Sequence, residues 1–156
     1  MDEEEILYFN KALESIEESQ LALENEKYNL SINRSYYAVF YATKALLIKK
    51  GIETKKHSGT IHKFGLEYVV NGNFDSEIAK SLKNLENDRT NADYDVHLIF
   101  SKEDALYDLK NAQTFIEECK KFLFSTWNNT MTTISYGVSQ NNFLCIHFIS
   151  IFLYWV

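Results

Sequence analysis

The segment at residues 33–51, NRSYYAVFYATKALLIKKG, constrains the fold more than any other part of the chain. Written as a helix, it places Tyr37 and Tyr41 on one face and Tyr36 and Phe40 on another. A helix with apolar groups on all sides lies in the middle of a bundle or between subunits. The chain of 156 residues holds no proline and five glycines, which favours long helices joined by short turns. We therefore predict a helical bundle with this segment near its centre.

Apolar periodicity and helix-end signals predict five helices. Their approximate bounds are residues 3–25, 27–50, 60–71, 75–94 and 102–124. Gly51 suits the end of the second helix, and Ser101 with Asp104 resembles a capping box at the start of the fifth. One face of the first helix is predicted to be buried, namely Ile6, Phe9, Leu13, Ile16 and Leu23. The predicted fold class is all-α, an up-and-down bundle of four to five helices.

The charge of the chain limits the classes of function. Its formal net charge of -6 excludes a general electrostatic grip on nucleic acid, although a local basic patch stays open. Cys119 and Cys145 form no motif with each other, so nothing indicates a disulfide-held secreted fold. The acidic start, MDEEEILYF, is unlike a signal peptide. We predict a cytoplasmic protein, with no membrane association for residues 1–124.

The distribution of charge predicts where the functional domain ends. All 16 basic and 22 acidic residues lie between Asp2 and Lys121. The predicted domain therefore covers residues 1–124, and residues 125–156 form an uncharged, apolar tail. Three interpretations of this tail stay open: a docked apolar strand or helix, a membrane-interface segment, or a sequence that did not evolve with the domain.

Two arginines occur where apolar residues are expected. Arg34 lies within the apolar second helix, and Arg89 takes the next position on the stripe of the fourth helix, with Asp93 one turn later. This spacing predicts a polar cluster between the two helices with at least one arginine–aspartate contact. One interpretation is a buried ion-pair network that fixes the helix register. The other is a pair of arginines that bind phosphate, because guanidinium groups match phosphate oxygens.

The loop sequence KKHSG supplies a second set of candidate binding residues. Lys55, Lys56 and His57 precede a predicted helix, and cations at a helix N-terminus favour phosphate. The alternative is a solvated loop in which Ser58 only caps that helix. His57 and His62 have no second pair of ligands, so no metal site is predicted, and no cofactor is predicted either.

Three sequence motifs together resemble a known family. NRSYYAVFYATKALL, KKHSG and RTNADY, in this order across residues 21–123, are similar to the small standalone HEPN-domain proteins of archaea and bacteria. The resemblance implies a bundle of four or five helices, commonly a homodimer. It also implies a minimal nucleotidyltransferase as partner, in some cases within a toxin–antitoxin system. Members of the family are metal-independent ribonucleases or non-catalytic modules that bind RNA or nucleotides.

The resemblance also suggests site residues. Nuclease members have an arginine followed by a histidine, which supply a cation for the phosphate and an acid or base near neutral pH. Arg89 matches the arginine, but seven residues separate it from His97, a longer spacing than in those members. The catalytic candidates are therefore Arg89, Asp93 and His97, although a carboxylate paired with an arginine is a weak base. Tyr94 lies near the position of a tyrosine that the partner transferase modifies in some HEPN toxins.

These observations lead to one preferred function and two alternatives. The preferred function is a HEPN component of a two-gene nucleotidyltransferase system that binds RNA or nucleotide, with ribonuclease activity slow or absent. The binding residues would be Arg34, Lys55, Lys56 and His57. The first alternative is an active metal-independent ribonuclease toxin. The second is a purely structural, dimerising helical protein.

Overall fold

The computed structural model describes residues 2–95 and 97–124 of the chain. Five α-helices and one π-helical turn make up this part, and no strand occurs in it. The helices are α1 (Glu3–Glu24), α2 (Tyr28–Lys49), α3 (His57–Phe64), α4 (Ser76–Tyr94) and α5 (Lys102–Leu123), with the π-helical turn (Gly65–Val70) directly after α3. The predicted all-α bundle is confirmed.

Helix α2 forms the centre of the bundle, as predicted. It contacts α1, α3, α4 and α5. Tyr36, Val39, Leu46 and Leu47 of this helix have almost no exposed surface. Because each large apolar side chain that is fully buried contributes about 1.5–3 kcal/mol, this helix is the main source of core stability.

The predicted buried face of α1 is wrong in part. Phe9 is buried, but Ile6 and Leu13 are exposed. The face of α1 that is buried consists mostly of small residues, Ala12, Ser15, Ser19 and Ala22. Small side chains let two helix backbones approach closely, so large residues such as Ile6 and Leu13 lie beside the contact with α2 rather than within it.

Hydroxyl groups replace apolar contacts where α1 and α2 are closest. Two atoms of Ser31 lie within hydrogen-bond distance of the Ser19 Oγ atom. The Ser31 carbonyl oxygen accepts from it at 2.9 Å, and the Ser31 Oγ atom is 3.0 Å away. It also lies 2.8 Å from the Ser35 Oγ atom. All three serines are buried, and each hydroxyl has a partner, which avoids the cost of burying an unpaired polar group.

The ends of two helices share one turn geometry. Gly51 follows α2 with φ of 69°, and the amides of Gly51 and Ile52 donate to the carbonyls of Ile48 and Leu47. This Schellman motif agrees with the predicted glycine stop. Glu26 adopts the same left-handed conformation after α1, with φ of 60°. A side chain in that region is strained, because its Cβ atom approaches the carbonyl group.

Helix α3 begins earlier than predicted, which changes the interpretation of KKHSG. His57, Ser58 and Gly59 belong to the first turn of the helix, and Lys56 occupies the N-cap position. Ser58 therefore does not cap α3. The Thr60 amide donates to the Lys56 carbonyl at 3.0 Å, which closes this first turn.

Helix α5 begins as predicted. Ser101 and Asp104 form a capping box, in which each side chain accepts from the backbone amide of the other. None of the helices in the described ranges is both long enough and apolar enough to cross a membrane. The predicted apolar tail, residues 125–156, lies outside the described residues.

Candidate functional site

Arg89 of α4 is held at the surface between α4 and α2. Its Nε atom lies 2.9 Å from Asp93 Oδ2, and its Nη2 atom donates to the Tyr37 hydroxyl at 3.2 Å. The buried Nε–H group is poorly aligned with that oxygen for a hydrogen bond. The contact between Arg89 and Asp93 is therefore an ion pair without a hydrogen bond from Nε. The predicted arginine–aspartate contact is confirmed. With 21% of its side chain exposed, Arg89 is fixed by its neighbours yet reachable from solvent.

Asn33 connects the two arginines of the predicted cluster. Its Nδ2 atom donates to both carboxylate oxygens of Asp93, at 2.9 and 3.1 Å. Its Oδ1 atom accepts from Arg34 Nε at 3.1 Å and from Arg34 Nη2 at 2.7 Å. Arg34 pairs with Glu18 at 3.3 Å rather than with Asp93. The predicted meeting of Arg34, Arg89 and Asp93 therefore runs through the amide of Asn33.

The cluster lies on the rim of the bundle rather than inside it. The Asp93 side chain is 28% exposed and the Arg34 side chain 32%. Ion pairs that are this accessible to water are screened and contribute little to stability, about 0–1 kcal/mol. The interpretation of a buried ion-pair network is therefore wrong. The accessible geometry leaves both guanidinium groups available to an anion from solvent.

Aromatic rings form a floor beneath the arginines. We call this surface the aromatic floor; it consists of Tyr36, Tyr37 and Phe40 of α2. The Cζ atom of Arg89 lies 5.6 Å from the centroid of the Tyr37 ring and 5.9 Å from that of Tyr36. Arg34 Cζ lies 5.0 Å from the Tyr37 centroid. These distances are within the range of cation–π attraction, which holds the guanidinium groups against the rings.

The Tyr36 hydroxyl stays protonated at neutral pH. Burial raises its pKa well above the ordinary value, and the nearby charge of Glu86 raises it further, while Arg89 acts in the opposite direction. Tyr36 is almost completely buried, so its hydroxyl needs a partner within the protein. That partner comes from α3.

His57 lies on the aromatic floor, at the first position of α3. Its Nδ1 atom is 2.9 Å from the Tyr36 hydroxyl oxygen. Its ring stacks on Phe40 with a centroid distance of 4.1 Å. The residue itself is exposed. The sequence places His57 in a basic loop, and the structure brings it to the same two tyrosines that contact Arg89.

A buried lysine anchors the loop that leads to His57. Lys44 Nζ donates to the Thr54 carbonyl oxygen at 2.7 Å and to Thr54 Oγ1 at 3.2 Å. Thr54 Oγ1 lies 2.7 Å from Thr60 Oγ1 of α3. Within the described residues, the exposed Lys55 and Lys56 have no ion-pair partner, and they directly precede His57 in the chain.

The two remaining predicted residues lie at the end of α4 and beyond it. Tyr94 is 73% exposed, and Arg89 Cζ lies 6.0 Å from its ring centroid. His97 is exposed after the helix, where its backbone amide donates to Asp95 Oδ1 at 2.9 Å. In the described ranges, no contact joins the His97 ring to Arg89. The same ranges contain no group of three or more side chains arranged for a metal ion.

Sequence reasoning missed three members of this site, Asn33, Tyr36 and Tyr37. A segment at the centre of the bundle is expected to bury its tyrosines, and Tyr36 is buried while Tyr37 is only half-buried. The available signal was the pair Asn33–Arg34 in an otherwise apolar helix, because an amide there needs a polar partner.

Comparison with known proteins identifies similar chains. The profile of the HEPN domain matches residues 7–122. The protein named "Putative toxin MJ0142" of Methanocaldococcus jannaschii is 37% identical over 115 residues, which cover 74% of this chain and 78% of that protein. A UPF0332 protein of Thermotoga maritima is 32% identical over 113 residues, covering 72% of this chain and 86% of that protein. Another UPF0332 protein, from Pyrococcus horikoshii, is 45% identical over 76 residues, covering 49% of this chain and 54% of that protein.

Proposed function

The chain belongs to the HEPN domain family, and from this premise we propose that it is the toxin-type component of a two-gene system that binds RNA or nucleotide phosphates at Arg89. The observation that carries the proposal is the position of Arg89, which is fixed by Asp93 and Tyr37 yet partly accessible to solvent. A guanidinium that is already oriented loses little conformational entropy when it binds an anion.

The surroundings of Arg89 suit a nucleic-acid ligand. A phosphate can form charge-assisted hydrogen bonds with the guanidinium, which are stronger than neutral ones. Lys55 and Lys56 provide unpaired positive charge on a chain whose net charge is -6, so a phosphate would be attracted to this surface. The exposed Tyr94 ring beside Arg89 offers a face on which a base can stack.

The proposed partners are a minimal nucleotidyltransferase and a second copy of the chain. Tyr94 is exposed beside Arg89, so a transferase could reach its hydroxyl and modify it. Leu21 and Leu30 are exposed and line a shallow groove next to Arg34, which offers apolar surface for a homodimer. Two relatives carry the name "Putative toxin", which supports the toxin-type role in a two-gene system.

Binding to a labelled single-stranded RNA tests the proposal. We expect Arg89→Ala to weaken binding at least tenfold in fluorescence anisotropy, because it removes the fixed cation. The matched control is Lys83→Ala, which removes a cation from the same helix; Lys83 is mainly exposed and pairs with Glu86. The control should bind within about twofold of the wild type. Competition with ATP would distinguish two kinds of site. A nucleotide site would release the labelled RNA when ATP is added, whereas a site that needs an RNA strand would retain it.

Equal affinity of Arg89→Ala and the wild type would refute the binding site. Absence of RNA and nucleotide binding in the wild type would instead favour the purely structural, dimerising protein. The alternative of an active ribonuclease requires one feature that a binding module does not need. This feature is a side chain at the site that can transfer a proton to or from the RNA.

A further inference from the structure

We propose that His57 is the catalytic acid–base of a metal-independent RNA cleavage at this site. The inference rests on the proposed function, because Arg89 must first hold the scissile phosphate. His57 lies on α3 and Arg89 on α4, so the pair does not form a motif within one helix. Their shared neighbours, Tyr36 and Tyr37, bring them to one surface.

The distances place His57 and Arg89 around the same two rings. The His57 ring centroid is 6.1 Å from that of Tyr36 and 6.3 Å from that of Tyr37. The corresponding distances from Arg89 Cζ are 5.9 and 5.6 Å. The floor on which Arg89 lies is thus also the floor on which the imidazole lies, so a nucleotide whose phosphate contacts Arg89 would extend its ribose along this shared surface.

The contacts of His57 fix the ring in one orientation. Nδ1 is engaged by the Tyr36 hydroxyl, and one ring face is covered by Phe40. Nε2 lies on the opposite edge of the imidazole from Nδ1, and the residue as a whole is exposed. When Nδ1–H donates to the Tyr36 oxygen, the lone pair on Nε2 is free to accept a proton. In this arrangement, the Tyr36 hydroxyl holds Nδ1 and leaves Nε2 as the catalytic nitrogen.

The reaction balances without a metal or a co-reactant other than water. His57 Nε2 takes the proton from the ribose 2′-hydroxyl, and the 2′-oxygen forms a bond to phosphorus. The bond from phosphorus to the 5′-oxygen breaks, and that oxygen takes a proton from water. The hydroxide that remains takes the proton from the His57 imidazolium. Arg89 stabilises the negative charge that develops on the phosphate oxygens. The products are a 2′,3′-cyclic phosphate and a 5′-hydroxyl.

Other titratable groups in the described ranges fit this role less well. Asp93 already accepts hydrogen bonds from Asn33 and pairs with Arg89. His97 is exposed beyond the end of α4, away from the contacts of the floor. His57 is the histidine that hydrogen-bonds to a floor residue.

The test separates cleavage from binding in the full-length protein. The substrate is a 5′-labelled RNA oligonucleotide, incubated with excess protein in EDTA, and its all-deoxy analogue lacks the nucleophile. We expect the wild type to cleave RNA and leave the deoxy strand intact. His57→Gln, whose amide can still reach Tyr36, should slow cleavage at least 100-fold, as expected for loss of an acid–base group. Its RNA affinity should fall by a much smaller factor than its cleavage rate, because Arg89 still holds the phosphate.

Further variants exclude a loss of fold as the cause. His57→Asn should give the same result as His57→Gln, with an unchanged circular dichroism spectrum. His97→Ala should cleave within about twofold of the wild-type rate. Cleavage by His57→Gln within threefold of the wild type would overturn the assignment, and so would equal loss of cleavage in His97→Ala.

The failure of this inference is distinct from the failure of the proposed function. RNA binding without cleavage in the wild type overturns the role of His57 and leaves the binding module. An Arg89→Ala protein that binds as tightly as the wild type overturns the binding site itself.

Discussion

The ionisation of Asp108 should make the stability of the bundle depend strongly on pH. It lies on α5 with 3% of its surface exposed, and its Oδ2 atom is buried without a hydrogen-bond partner among the described residues. Burial raises the pKa of Asp108 to about 7, and the charges of Asp88 and Asp104 contribute to the increase. The folded protein therefore holds this proton more tightly than the unfolded chain does.

The two pKa values determine the sign of the effect. The unfolded chain releases the proton near the ordinary aspartate pKa of about 3.9, and the folded protein releases it near 7. The destabilisation is absent below about pH 4, grows as the pH rises, and is complete above about pH 7. For one carboxyl group, this linkage gives a cost of about 1.5 kcal/mol at pH 5 and about 4 kcal/mol at pH 7.5.

Asp108→Asn removes the ionisable group and nearly keeps its shape. We expect the variant to be more stable than the wild type, with an advantage that increases by about 2.5 kcal/mol from pH 5 to pH 7.5. Urea unfolding followed by circular dichroism at both pH values measures it. The control is Glu117→Gln, which removes an exposed carboxylate of the same helix that pairs with Lys120. This control should change the free energy of unfolding by less than about 1 kcal/mol at both pH values. An advantage of Asp108→Asn that is equal at pH 5 and pH 7.5 would refute the reasoning.

Two further predictions concern the strained turn and the rim cluster. Glu26→Gly should raise the free energy of unfolding by about 0.5–1 kcal/mol because it relieves a left-handed non-glycine residue, whereas Gly51→Ala in the same motif should lower it by about 1 kcal/mol. Urea denaturation compares the two variants, and a Glu26→Gly protein less stable than the wild type would contradict the assigned strain. Asp93→Ala should cost less than about 1 kcal/mol, since the ion pair with Arg89 is accessible to water. A loss of 3 kcal/mol or more in the same assay would show that the cluster is buried.

The sequence predicted the fold class because its strongest signals are local. The apolar α2, the glycine at its end and the capping box of α5 each depend on residues close together in the chain. The buried face of α1 was not predictable in this way. Hydrophobic periodicity gives most weight to large residues such as Ile6 and Leu13, while the contact with α2 uses small residues such as Ser19. Which face is buried was decided by how closely two backbones approach, and this depends on both helices.

The start of α3 shows the same dependence on distant residues. A run of lysine, histidine, serine and glycine is typical of a loop. Here Lys44 of α2 binds Thr54 and, through it, Thr60, and this network holds the chain in position to begin a helix at His57. A polar network between elements cannot be inferred from the composition of one of them.

The candidate site could be predicted only in part, because some of its contacts are local in the chain and others join different helices. Arg89 and Asp93 are one helical turn apart, so their contact was predictable from spacing. Asn33 reaches Asp93 because α2 packs beside α4, and His57 reaches the Tyr36 hydroxyl because α3 packs on α2. No interval counted along the chain expresses that packing. A search for a histidine at a short interval after Arg89 follows one stretch of the chain and finds His97, which lies beyond the end of α4. A cation and an imidazole that act on one phosphate need only to share a surface, and here Tyr36 and Tyr37 provide it.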